Sequence, residues 1–120
     1  MPSIVKKISK FTKREIDYLF DHARRVIRNQ SCTILLAPRQ KEFGRVLIIA
    51  SRKVGNAPER NLIRRRIKSI FYEEKLFERP FDCVVIVYKK AVMLSFEQLK
   101  DLLLTAFQKG CQINEKNLID

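Results

Sequence analysis

The chain has a single histidine, three cysteines and no apolar run approaching membrane-spanning length. A bilayer span needs about 20 consecutive apolar residues, so no transmembrane segment is expected. Cys32, Cys83 and Cys111 are odd in number, widely separated and without a CxxC pair, which argues against both a disulfide framework and a zinc site. Two of them lie in strand-like stretches, where cysteine acts as a small apolar residue. Clustered carboxylates for a metal, or a base beside a nucleophile, are what a self-sufficient hydrolase requires. Here the acids are scattered: Glu73, Glu74 and Asp82 have no convergent partner in the sequence, and His22 reads as a helix-end or loop residue rather than a catalytic base. The N-terminus, MPSIVKKISK, carries no apolar segment of signal-peptide length after its lysines, so a cytoplasmic location is expected.

Acid is scarcest where base is densest. The net charge is +12, and residues 39–68 hold ten basic side chains against two acidic ones. Residues 1–30 hold eight against three, whereas residues 69–120 are close to neutral with seven against eight. Two basic blocks beside a neutral third suggest one charged face on a folded body, and a polyanion as its partner. At 120 residues with 46% hydrophobic content and no repeats, the chain reads as a single domain spanning 1–120, frayed at residues 1–8 and 112–120.

Punctuation in the sequence outlines the elements. Thr12-Lys13-Arg14-Glu15 is a capping box with Phe11 and Ile16 as its hydrophobic staple, so a helix begins at residue 13. Ile16, Leu19, Phe20 and Ala23 form its apolar stripe, and Arg24 to Arg28 reads either as its continuation or as a short edge strand. Residues 31–37 and 45–51 are strand-like, and the polar connector 38–44 reads as a hairpin loop. Gly55-Asn56-Ala57-Pro58 turns the chain, Gly55 permitting the turn, into a second helix that runs to about Phe77 before Arg79-Pro80-Phe81. Residues 83–89, CVVIVYK, are apolar enough for a central strand buried on both faces. Ser95 to Gln98 is a further capping box, opening a final helix with its stop at Gly110. The fold class is α+β, in the order α-β-β-β-α-β-α with the first strand as the open question.

The second helix carries the functional signal. At 100° per residue, Leu62, Ile63, Ile67, Ile70 and Phe71 share one half of the wheel and are expected to pack on the sheet. Asn61, Arg64, Arg65 and Lys68 form a separate stripe at i, i+3, i+4 and i+7, with Arg60 and Arg66 near its borders. Like charges at these spacings repel by a few tenths of a kcal/mol per pair, a cost that an anion lying on the stripe offsets. The guanidinium suits phosphate because it grips two oxygens and stacks on bases. Asn61 can bind a base edge or ribose hydroxyl, or equally a backbone group of the preceding turn. Arg52, Lys53 and Asn56 are placed beside the helix N-terminus, where free backbone N–H groups attract phosphate.

The segment SRKVGNAPERNLIRRRIKSIF resembles the signature of the bacterial ribonuclease P protein family, S-[KR]-K-x-G-x-A-x-x-R-N-x-x-[KR]-R following a strand. Ser51, Arg52, Lys53, Gly55, Ala57, Arg60, Asn61, Arg64 and Arg65 match in order, and the likeness extends over roughly residues 5–110. It implies a ribosomal-protein-like α-β sandwich whose crossover between parallel strands is left-handed, against the usual hand. It implies a protein subunit that does not cleave alone: the large RNA of the holoenzyme performs the cleavage with Mg2+, and the protein holds no cofactor of its own. The partners implied are that catalytic RNA and precursor tRNA, with no membrane and no obligate protein partner. By resemblance, Arg52, Lys53, Asn56, Arg60, Asn61, Arg64, Arg65 and Lys68 contact the catalytic RNA. A cleft between the first helix and the sheet is implied to bind the single-stranded 5′ leader. Phe20 matches it, while Ile16 and Ile34 stand where further aromatics are expected; for Phe20 a plain core role is the alternative. Leu62 departs from the family, which usually repeats Arg after the Arg-Asn pair, and its wheel position suggests that it packs. The rival functions are a ribosomal or RNA-assembly protein using the same helix on ribosomal RNA, and a protein-only nuclease.

Overall fold

The computed structural model describes residues 6–119, with side chains as far as residue 112. Helix α1 spans Lys13–His22, strand β1 Arg24–Arg28, β2 Cys32–Pro38, β3 Val46–Ile49, helix α2 Ala57–Glu73, β4 Phe81–Val87 and helix α3 Phe96–Ile119. One four-stranded mixed sheet has the order β1-β2-β4-β3. Arg24–Arg28 is thus an edge strand, paired antiparallel to β2 through an irregularity between Arg25 and Ile27. Central β4 runs antiparallel to β2 and parallel to β3, and α2 is the crossover between the parallel pair.

Helices α2 and α3 cover one face of the sheet. Ile63, Ile67, Ile70 and Phe71 from α2 and Leu99, Leu103, Ala106 and Phe107 from α3 pack on Cys32, Ile34, Leu36, Val46, Cys83, Val85 and Val87. Phe107 meets Phe71 and Phe81 edge-to-face, with centroids 6.0 and 6.2 Å away. Among the described residues the other face is covered by α1 and its flanks, through Leu19, with Phe11 and Ala23, on Ala37 and Val84, while Leu35, Leu47, Ile49 and Ile86 are only half-buried around them. The two buried thiols, Cys32 and Cys83, are unpaired, and burial pushes that of Cys32 up to about 11.

Several expectations from the sequence are corrected. The connector 38–44 is no hairpin loop, because β4 lies between β2 and β3. It wraps around the start of β4, where the fully buried Asp82 accepts from the Gln40 and Arg45 backbone N–H groups at 3.3 and 2.9 Å. Helix α2 ends at Glu73 rather than near Phe77: Lys75 adopts the left-handed conformation at φ 54°, and Leu76 turns into the core. Helix α3 does not stop at Gly110 but continues to Ile119. Gly110 is there for close packing, since a Cβ would overlap the Leu36 side chain and crowd the Phe81 ring. At the N-terminal end, Ile8 is fully buried and its carbonyl accepts from Val46 N–H at 2.7 Å, so residue 8 is anchored rather than frayed. Fraying of residues 1–5 concerns positions outside the described residues.

Arg45, counted in the basic block, is internal at 1% exposure. Its Nη1 donates to the Lys10 carbonyl at 2.8 Å and to Glu15 Oε1 at 3.0 Å, its Nη2 lies 3.7 Å from Asp82, and its guanidinium stacks 4.2 Å over Phe11. Glu15 also closes the predicted capping box with Thr12. The Thr12 backbone N–H, together with Arg45 and Lys41, overrides partial burial and holds the Glu15 carboxyl at about 2, against an ordinary 4.5. Burial pushes Asp82 the other way, above the usual carboxylate range, against the pull of Arg45.

The depressed Glu15 value sets a sign: its charge stabilises the fold above about pH 4.5, and that contribution disappears as pH falls toward 2. Glu15→Gln keeps the cap geometry and removes the charge. Thermal denaturation should therefore show the variant melting below the parent at pH 7, with the gap closing by pH 2; a gap that stays constant across this range would count against the ion pair.

Candidate nucleic-acid interface

The segment after β3 forms a single 3-10 turn over Arg52–Val54, with Val54 buried as its anchor and Arg52 and Lys53 exposed. Helix α2 then opens with a capping box that was not read from the sequence. Asn56 accepts from Glu59 N–H at 2.9 Å, and Glu59 Oε1 accepts from Asn56 N–H at 2.9 Å. Gly55 has an extended φ of 166°, so the turn needs no left-handed residue. Glycine leaves room for the box: a Cβ would sit 2.7 Å from Glu59 Oε1, and the capping carboxylate would have to shift.

This cap changes the expected phosphate site. Pro58 lacks an N–H, the Glu59 N–H is taken by Asn56, and the Glu59 carboxylate stands at the helix start. The positive end of the helix is already neutralised, so anion attraction falls to side chains rather than to the helix N-terminus. The turn-bonding role considered for Asn61 belongs to Asn56, and Asn61 is exposed.

The predicted stripe is present as a surface. Asn61, Arg64, Arg65 and Lys68, with Ala57 and Pro58, line an open groove of about 660 Å3 along α2. Arg64 Nη2 donates weakly to the Ala50 carbonyl at 3.4 Å, which leans the stripe toward the end of β3. Arg64 and Lys68 also border a smaller cavity of about 130 Å3 with Ser9 and Val46–Ile48, so the stripe runs along the β3 edge of the sheet. Arg60 is set apart from it: half-buried, with a buried Nε that has no hydrogen-bond partner among the described residues. Arg66 donates to the Leu94 carbonyl at 3.2 Å and straps α2 to the 89–93 turn.

Leu62 does not pack. It is 39% exposed, because on the wheel it stands about 125° from the mean direction of Ile63, Ile67, Ile70 and Phe71, at the rim of the apolar half.

The second surface is the sheet face that α1 leaves partly open. The N-terminus of α1 is tied to the start of β4 through Glu15, Arg45 and Asp82, and its C-terminus feeds β1 beside Leu36. It therefore crosses one end of the sheet and exposes a strip beyond it. Phe20 is 44% exposed at the border of α1, with half-buried Ile16 one turn before it. Ile34 is not in this cleft. It is 1% exposed and packs with α2 and α3 on the opposite face, since successive strand residues alternate sides. Leu35 takes the place expected of Ile34, and Ile86, Ile49 and Leu47 complete the floor. Arg25 and Arg28 pair with Leu35 and Thr33 across the β1–β2 ladder, and both are exposed along its rim. Strict alternation would put Arg25 and Arg28, three residues apart, on opposite faces; the irregularity between Arg25 and Ile27 sets both of them opposite residues of one β2 face, which no pattern within Arg24–Arg28 shows. His22 lies at the end of α1, with Nδ1 2.9 Å from the Tyr18 carbonyl and its ring stacked on Tyr18, so its contacts lie within its own helix. No group of three or more His, Cys, Asp or Glu converges among the described residues.

A Ribonuclease P family model matches residues 6–111. The chain belongs to the ribonuclease P protein family. It is 31% identical over 102 residues to the ribonuclease P protein component of Petrotoga mobilis, covering 81% of this chain and 86% of that one. With the Bacillus velezensis ribonuclease P protein component it shares 42% over 72 residues, 60% of this chain and 61% of that one. Among solved structures it resembles the Staphylococcus aureus RNase P protein with a TM-score of 0.71 at 20% identity, over 84% of this chain and 93% of that one. It also resembles the Thermotoga maritima RNase P protein, solved in complex with 1-(4-fluorophenyl)-2-thiourea, with a TM-score of 0.67 at 26% identity, covering 79% and 92%. The family pattern thus falls on a turn, a cap and a helical stripe.

The division between exposed and strapped arginines is testable by salt titration of RNA binding. Replacing Arg64 and Arg65 by Ala should lower the slope of log K against log salt by roughly one for each phosphate left without its cation. Arg66→Ala should leave the slope unchanged and cost about 1 kcal/mol of stability through removal of the Leu94 bond. Slopes for Arg64→Ala and Arg65→Ala equal to the parent's would remove the stripe from the interface.

Proposed function

We propose that this chain, a protein component of the tRNA-processing endoribonuclease ribonuclease P, works by electrostatics and positioning rather than by chemistry of its own. The observation that carries this reading is the Asn61-Arg64-Arg65-Lys68 groove, with Arg52 and Lys53 on the turn before it. The arginines and lysines of this surface, with Arg60, neutralise phosphates of the catalytic RNA where its strands converge, and Asn56 contacts the same RNA as an uncharged polar group. Asn61 is placed to read a base edge or a 2′-hydroxyl. The uncovered sheet strip beside Phe20 and Ile16 takes the single-stranded 5′ leader of precursor tRNA by sequence-tolerant stacking and apolar contact.

Cleavage itself is assigned to the RNA and its magnesium ions. The protein raises their effectiveness by holding the leader and by lowering repulsion between RNA segments, which converts binding into orientation. The buried carboxylate of Asp82 and the half-buried one of Glu15 are committed to Arg45. The expected location for this work is the cytoplasm. No helix among the described residues is long and apolar enough to cross a membrane.

The test is reconstitution. Purified chain alone should leave precursor tRNA intact, and its addition to the cognate catalytic RNA should permit 5′ processing at magnesium concentrations where the RNA alone is slow. Complete processing by RNA-free protein would overturn the proposal. Recovery of ribosomal RNA rather than one long RNA with precursor tRNAs, after pull-down and sequencing, would instead favour a ribosomal role.

A further inference from the structure

Among the described residues, three large aromatic side chains stay substantially exposed: Tyr18, Phe20 and Tyr88. Tyr18 is stacked on His22 at 3.9 Å, and Phe20 borders the cleft already described. Tyr88, at 40% exposure, is unaccounted for. It follows Val87 with extended backbone, φ −113° and ψ 174°, so the alternation of β4 continues through it. Its side chain therefore falls on the face of Val84 and Ile86, the face that α1 only partly covers.

The ring is also held. Tyr88 Oη lies 2.8 Å from Thr33 Oγ1, across the β2–β4 ladder, and Thr33 is 6% exposed. Thr33 shares its face with Leu35, two residues along β2. Tyr88 is thus fixed at the far end of the strip whose near end lies under Leu19. Val84, beneath Leu19, is four residues away, about 13 Å at the rise of a strand. Arg28, opposite Thr33 in the β1–β2 register, brings a cation to the same end. The turn that follows Tyr88 packs against the 52–54 turn, so the strip opens toward Arg52 and Lys53.

We infer that Tyr88, positioned by Thr33, is a second aromatic platform of the cleft and stacks an unpaired nucleobase of the leader. It takes over the stacking that aliphatic Ile16 and Leu35 do not supply. The inference rests on the leader reading given above. A tyrosine serving only the core would bury its ring; here the hydroxyl is satisfied and the ring is left open. Fixing it in advance removes the ordering cost that a free side chain would incur on binding.

The experiment compares binding of two precursor tRNAs to the reconstituted holoenzyme, one with a leader long enough to cross the strip and one with a single leader nucleotide. Tyr88→Leu should weaken the long-leader substrate about 5- to 10-fold, the scale of one missing base stack, and leave the short one within about twofold. Tyr88→Trp should retain the leader-dependent gain. Thr33→Val should lose part of it, and Thr33→Ser should restore it. Phe20→Ala separates this inference from the reading beneath it. If Phe20→Ala reduces leader-dependent binding and Tyr88→Leu does not, Tyr88 is excluded while the cleft stands. If neither variant does, both ideas fall. An equal loss on long and short leaders would assign Tyr88 to the fold or to the catalytic RNA, and would overturn the inference.

Discussion

Strand β4 must find hydrogen-bond partners along both edges and apolar cover on both faces, because Phe81–Val87 carries one polar side chain and that one, Asp82, is fully enclosed. Its two neighbours satisfy the edges, β2 antiparallel and β3 parallel. A parallel neighbour cannot be joined by a tight turn, so the chain between β3 and β4 must travel the length of the sheet and return. Helix α2 is that return path. The basic stripe lies along the β3 edge of the sheet because the same helix that shields β4 must turn its other side outward.

Enclosing Asp82 creates a second constraint. A buried carboxylate is costly unless it is paired and hydrogen-bonded. Arg45 supplies the pairing and reaches on to Glu15 and the Lys10 carbonyl. The cluster joins the start of β4, the connector after β2 and the N-terminus of α1. Helix α1 is thereby tied across one end of the sheet, and the remainder of that face stays open. A buried charge thus determines where a surface cleft exists, and the open strip and the basic stripe approach one another at the carboxyl ends of β3 and β4.

The parts legible in the sequence were those governed by local rules. The caps at Thr12 and Ser95, the apolar face of α2 and the doubly buried β4 all follow from spacing within one segment. At Gly110 and Ile34 contacts between segments overrode local signals, whereas at Leu62 and Asn56 the signal was local and lay within a pattern that reads more readily another way. Gly110 looks like a helix stop until Leu36 and Phe81 are seen against it. Ile34 was one position out, because strand register decides which face a residue meets. Leu62 was placed with the core although the wheel puts it at the margin. Asn56 and Glu59 formed a capping box hidden within what read as a turn motif.

The sequence by itself determined the α+β class, the concentration of positive charge on α2 and the family signature from Ser51 to Arg65. These depend on composition and on periodicity along a single segment. Only the tertiary structure decided that Arg45 is internal, that Arg60 and Arg66 turn toward the body, and that Leu35 and Tyr88 rather than Ile34 line the strip beside Phe20. Side-chain facing depends on strand order and on which segment lies alongside, and neither is encoded within the short windows over which sequence patterns can be read.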